Sequence, residues 1–190
     1  MSYLAATIPR FFLEIVQHGM CEATPVNSLP AVMSSAARGG LLSQAATLGC
    51  YRLAPDEALI VTADPLGAHY LGVQIADPWM VSYEYRRRTS SLNHLQAEAD
   101  LDDRVRFVIS TDDPGVPNWL DGSGAAAGAI LLRWQKLPEG ALFKDAVTTE
   151  VVKFKDLSRH LPKGTRRVGR ASRLAQRDTR ERGYRTRISG

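Results

Sequence analysis

Long apolar runs are missing from this 190-residue chain. The longest, Ala125 to Leu132, falls far short of the ~20 residues that a membrane-spanning helix needs, so no membrane span is expected. Cysteine is scarce: Cys21 and Cys50 stand far apart and form no CxxC pair, so no disulfide framework is expected. The spacing points to a reducing compartment and to two thiols that act as small buried apolar groups. No secretory signal is legible at the start, where Arg10 interrupts the apolar positions and Glu14 follows, so the cytoplasm is the expected location. Neither GxxxxGK[ST] nor GxGxxG occurs, and Asp121-Gly122-Ser123-Gly124 lacks the strand-to-helix context of a nucleophile elbow. His18, His69, His94 and His160 do not pair at metal-ligand spacing, so neither metal nor cofactor is expected.

What is present is ordinary in bulk and uneven in placement. Hydrophobic residues make up 44% and charged residues 23%, close to a soluble globular average. Residues 1–152 hold 11 Lys+Arg against 17 Asp+Glu, a net −6, whereas residues 153–190 hold 13 against 3, a net +10. A basic tail suits nucleic acid or an anionic surface, but it suits equally a solvated helix or one that docks on its own acidic body. Tyr184 is the only aromatic residue in the helical stretch of that tail, so no stacking platform supports nucleic acid beyond weak electrostatic binding.

Three regions follow from periodicity. Residues 1–49 read as a helix and then a loop: Leu4, Ile8, Phe11, Phe12 and Ile15 recur at helical spacing, Thr7 caps, Pro9 suits the first turn and Gly19 ends it. Residues 50–154 change to a period of two. Leu59 and Val61 alternate with the equally apolar Ile60, and Leu71, Val73 and Ile75 share a face. So do Val105, Phe107 and Ile109, and so do Ile130, Leu132 and Trp134. Turn signals such as Asp64-Pro65-Leu66-Gly67 and Pro138-Glu139-Gly140 separate these runs, which predicts an all-β core, an antiparallel β-sandwich. Val105, Phe107, Ile109, Ile130, Leu132 and Trp134 are expected to point inward. Residues 155–190 return to a helical period as an arginine-rich helix from Thr165 to Tyr184. Its apolar stripe, Val168, Ala171, Leu174 and Ala175, is thin enough that residues 165–190 are expected to be dispensable.

The unusual chemistry lies between Trp79 and Asp121. Ser82-Tyr83-Glu84-Tyr85-Arg86-Arg87-Arg88 combines tyrosines, a carboxylate and three arginines, with Asn93 close behind. Asp113-Pro114-Gly115-Val116-Pro117-Asn118-Trp119-Leu120-Asp121 is a proline-stiffened loop. Arginines here either clamp an anion or pair with Glu84, Asp100, Asp102 and Asp103. The loop is either a preorganised binding site or a structural corner whose Asp and Asn bond turn amides. Tyr83, Tyr85, Arg86, Asn93, Asp113, Asn118, Trp119 and Asp121 are therefore the candidate ligand-binding residues, for a small-molecule or carbohydrate-like ligand, polar or amphipathic. Trp119 is expected to be buried, with Asn118 and Asp121 bonded to backbone amides or to an arginine such as Arg86. A hydrolase with Asp113 and Asp121 as acid and base, or a subunit of a homo-oligomer, are the alternatives.

Several strings resemble one family. They are Ala54-Pro55-Asp56-Glu57-Ala58-Leu59, Tyr70-Leu71-Gly72-Val73-Gln74, Trp79 with Ser82-Tyr83-Glu84-Tyr85, Ser91-Leu92-Asn93 with Gln96-Ala97, the loop from Asp113 to Asp121, and Gly128 with Arg133-Trp134. Over about residues 50–136 they look like the Domain of Unknown Function 1214 family. The resemblance implies a jelly-roll-like sandwich and no established reaction. Its longer relatives carry a second, N-terminal jelly-roll domain, for which this length leaves no room. Where that family often shows Gly-His, this chain has Gly124-Ala125.

Overall fold

The computed structural model describes residues 24–189. The expected N-terminal helix lies outside them. Among the described residues, nine strands form two sheets. They are β1 (Met33–Ser34), β2 (Gln44–Arg52), β3 (Glu57–Ala63), β4 (Tyr70–Ala76), β5 (Ser91–Asn93), β6 (Val105–Ser110), β7 (Trp119–Asp121), β8 (Ala127–Gln135) and β9 (Val147–Lys153). One sheet runs β1-β2-β8-β4-β5 and the other β7-β6-β3-β9. Every pairing is antiparallel except β6 with β7. Two helices follow, α1 (Leu157–His160) and α2 (Arg170–Ile188). No described helix is long and apolar enough to cross a membrane.

The alternation explains the layers. Leu59, Val61, Val105, Phe107 and Ile109 from one sheet meet Leu71, Val73, Ile75, Ile130, Leu132 and Trp134 from the other in one buried cluster. All six residues expected inward are buried there. Burying a large apolar side chain contributes ~1.5–3 kcal/mol, so this cluster is the main stabilising feature. β3 is apolar on both faces because it is covered twice. Its second face, Ala58 and Ile60, packs with Val108, Val116 and Val152 beneath Leu157 of α1 and Leu161.

β2 begins at Gln44, inside the stretch expected to be loop. Its inward residues, Ala45, Thr47 and Gly49, are too small to give a strong period, yet they are buried. Gly49 is required by contact: a Cβ there would lie 2.5 Å from the Ser28 carbonyl oxygen. Two further expectations are corrected. Cys50 is disulfide-bonded, not a free thiol; the chain's other cysteine, Cys21, lies outside the described residues. The tail helix runs Arg170–Ile188 instead of Thr165 to Tyr184.

Candidate functional site

The loop from Asp113 to Asp121 solves a topological problem. β7 must lie parallel beside β6, with Trp119 opposite Val108, although few residues connect them. Parallel neighbours usually need a crossover of a dozen residues or more. Here Gly115 (φ 67°) and Asn118 (φ 54°) turn the chain in the left-handed region, and the prolines stiffen the remainder. Asn118 is buried and ties three backbone groups: it accepts from the Glu98 N–H at 2.8 Å and donates to the carbonyls of Glu98 (2.7 Å) and Arg106 (3.1 Å). Trp119 is buried, and its indole N–H donates to the Ser110 carbonyl at 3.3 Å.

Both loop aspartates are held by arginine. Asp113 takes two guanidinium N–H groups of Arg173, each at 2.9 Å, and the Gly115 N–H at 2.9 Å. Burial alone would raise its carboxyl; the Arg173 fork and the Gly115 amide outweigh that and hold it below the ordinary carboxylate range. Asp121 is 3% exposed and accepts from one Arg88 nitrogen at 3.0 and 3.1 Å and from the Ser123 N–H at 2.9 Å. Its partner is thus Arg88, not Arg86, which pairs with Glu84 at 2.8 Å. Asp100 and Asp102 bind Arg106 and not the Arg86–Arg88 run. The loop is therefore a braced corner, and its carboxylates are committed to that role.

Helix α2 supplies the brace. Arg173 is buried, also donates to the Val116 carbonyl at 2.7 Å, and sits 5.2 Å above the Trp119 ring. Arg177 approaches Asp121 at 4.0 Å. Arg180 donates to the Tyr85 carbonyl (3.0 Å), the Ser91 carbonyl (2.9 Å) and the Ser91 hydroxyl (3.1 Å). Glu181 approaches Arg87 at 3.5 Å. Tyr184 meets the Tyr85 ring edge-on, with Arg86 stacked 5.3 Å from its centre. Of the expected apolar stripe, Val168 is buried just ahead of the helix, whereas Ala171, Leu174 and Ala175 are exposed. Positions 173, 177, 180, 184 and 187 do recur at helical spacing, so the docking face was present in the sequence, written in arginine and tyrosine.

Between α2 and the outer face of the five-stranded sheet lies an open cleft of about 380 Å³. β4 and β5 contribute Tyr70, Gln74 and Asn93, β8 contributes Arg133, and α2 contributes Arg180, Tyr184 and Arg187. Tyr70 folds over Gly72, where a Cβ would lie 2.5 Å from the tyrosine hydroxyl, and meets His94 edge-on. Of the expected site residues, Tyr85, Arg86 and Asn93 line this cleft, while Asp113, Trp119 and Asp121 do not. Asn118 backs a separate cleft of about 280 Å³ beside Glu98 and Arg166. Tyr83 packs against the core near Tyr51. Burial, and then Tyr83 itself, push the Tyr51 phenol up. The two hydroxyls interact electrostatically, yet neither meets hydrogen-bond geometry with any described group. Arg133, Arg180 and Arg187 are not among the expected site residues, because they come from segments far apart in the sequence. No three His, Cys, Asp or Glu converge as metal ligands among the described residues.

Fold and site together define a two-sheet β protein with a basic helix docked across one sheet. No family profile and no curated protein matches the chain. Among solved structures it is similar to an uncharacterised protein from Burkholderia cenocepacia, with 30% identity and a TM-score of 0.59 over 68% of this chain and 36% of that one. It is also similar to a protein from Vibrio parahaemolyticus, with 15% identity and a TM-score of 0.44 over 60% and 32%. The chain spans about a third of the length of these two structures.

Proposed function

We propose that this protein binds a small polar or amphipathic ligand in the cleft between the five-stranded sheet and α2. The observation that carries this reading is the cleft itself: about 380 Å³, open to solvent, with tyrosine faces and polar groups converging on it. The hydrolase alternative has less support, because Asp113 and Asp121 each lie in an arginine contact outside the cleft. Membership of the Domain of Unknown Function 1214 family, with its jelly-roll topology, belongs to the same proposal and rests on the sequence strings alone. Location is proposed as an oxidising compartment in place of the cytoplasm, since a disulfide at Cys50 persists where thiols are not kept reduced.

The test is ligand-observed NMR with a fragment set on the full chain, followed by amide shift mapping. Fragments that shift Tyr85, Asn93 and Tyr184 support the reading. A screen with no hits, or hits confined to other surfaces, overturns it.

A further inference from the structure

The charge around the cleft is unbalanced. Among the described residues, four guanidinium groups line it, Arg86, Arg133, Arg180 and Arg187, and no carboxylate does. Glu84 neutralises Arg86. Arg180 has only neutral oxygens as hydrogen-bond partners, although it is partly buried. Burial, and the like charge of Arg187, both work against its protonation, with Glu84 opposing. The side chains of Arg133 and Arg187 make no hydrogen bond or ion pair among the described residues, and the two come from opposite walls, one from the sheet and one from the helix. Arg180 is partly buried and Arg86, Arg133 and Arg187 are exposed around it, so the positive charge faces the open cleft, where an anion can reach it.

The remaining polar groups point the same way. Asn93 uses its side-chain oxygen to accept from the Leu95 N–H, and Gln96 uses its own to accept from the Asn93 N–H. Both amide NH₂ groups therefore remain as donors beside the cleft. Tyr70, Tyr85 and Tyr184 add flat surface suited to an aromatic or otherwise planar body.

We propose that the cleft is an oxyanion site. Arg133 and Arg187 take the carboxylate or phosphate of a small organic anion, the tyrosines cover its planar part, and the bound anion joins α2 to the sheet. This rests on the cleft being the binding site. Guanidinium recognises either oxyanion in bidentate geometry, so carboxylate and phosphate are one chemistry with two sources.

The experiment is calorimetric titration of the full chain with phenyl phosphate, benzoate and the neutral benzyl alcohol, each with amide shift mapping and hydrogen exchange. At least one anion should bind ten-fold or more tightly than benzyl alcohol, weaken as salt rises, and slow exchange along α2. Which anion binds more tightly identifies the source. Arg133→Met and Arg187→Met should each reduce anion affinity ten-fold or more and leave benzyl alcohol unchanged. Neither side chain has a hydrogen-bond or ion-pair partner among the described residues, so unchanged melting is expected for both, and Arg170→Met, outside the cleft, should bind as wild type does. If benzyl alcohol shifts the cleft residues and binds as tightly as the anions, the oxyanion proposal falls while the cleft reading stands. If none of the three probes shifts cleft residues, both fall.

Discussion

Arg173 grips Asp113 through two guanidinium nitrogens, each 2.9 Å from a separate carboxylate oxygen. The contact joins the C-terminal helix to the corner that lets β7 run beside β6. It explains how a helix with its apolar residues facing solvent stays on the body: the basic tail finds its counter-charge in the acidic sandwich.

Arg173→Met keeps much of the stem volume and removes the fork. A fully buried pair broken on one side costs ~3–5 kcal/mol. The Asp113 side chain is 35% exposed, so water recovers part of that, and a loss of ~2–3 kcal/mol is expected. Denaturant unfolding measures it. A variant within half a kcal/mol of wild type would show that the helix is not braced through this residue. Exchange protection of α2 should fall in the same variant.

The same pair sets a pH dependence. The folded-state pKa of Asp113 lies below its ordinary value, so its contribution is fully present above the unfolded pKa of about 4 and is lost as pH falls through the folded value. Asp102 behaves alike: the Arg106 hydrogen bonds hold its carboxyl at about 2. Melting temperature should therefore be flat above pH 5 and drop below pH 4. The drop should be shallower in Arg173→Met; an identical acid limb in the two proteins would remove Asp113 as a cause.

A third expectation concerns Cys50. Unfolded in guanidinium without reductant, the full chain should show no reactive thiol by colorimetric titration, and two after reduction. Reductant should lower the stability of the folded protein, by ~2–4 kcal/mol for a typical bridge. Two titratable thiols before reduction would instead place the protein in a reducing compartment.

What was legible in the sequence is what alternation and large side chains write. Phe107, Leu132 and Trp134 announced both their strands and their inward faces, and Ile60 announced that β3 is covered twice. β2 was half hidden because Ala45, Thr47 and Gly49 bury little area each. β5 and β7 are three residues long, below what any period can mark. The cleft was less legible still. Tyr85, Arg86 and Asn93 stood out as a local cluster, but Arg133 and Arg187 reach them only through the fold. The docking face of α2 carries no apolar stripe to mark it: its stripe is made of arginine and tyrosine.

Asn118 gives the sharpest test of the corner, since its backbone and side chain have separable roles. Its φ of 54° costs a non-glycine residue ~1–2 kcal/mol, which Asn offsets better than most. Its side chain satisfies one amide and two carbonyls, all in partly buried bonds. Asn118→Ala keeps the strained backbone and strands all three groups, for a loss of ~3–4 kcal/mol. Asn118→Gly strands the same groups but relieves φ; greater freedom in the unfolded chain returns ~0.4–1 kcal/mol of that relief. Glycine should therefore be more stable than alanine by about half to one kcal/mol, although both fall well below wild type. Asn118→Asp keeps an acceptor for the Glu98 N–H but turns a carboxylate oxygen toward two carbonyls, so it should be no better than alanine. Melting curves of the three variants decide the matter. Alanine outlasting glycine would show that the left-handed turn carries no strain, and aspartate matching wild type would show that the two donated bonds contribute nothing.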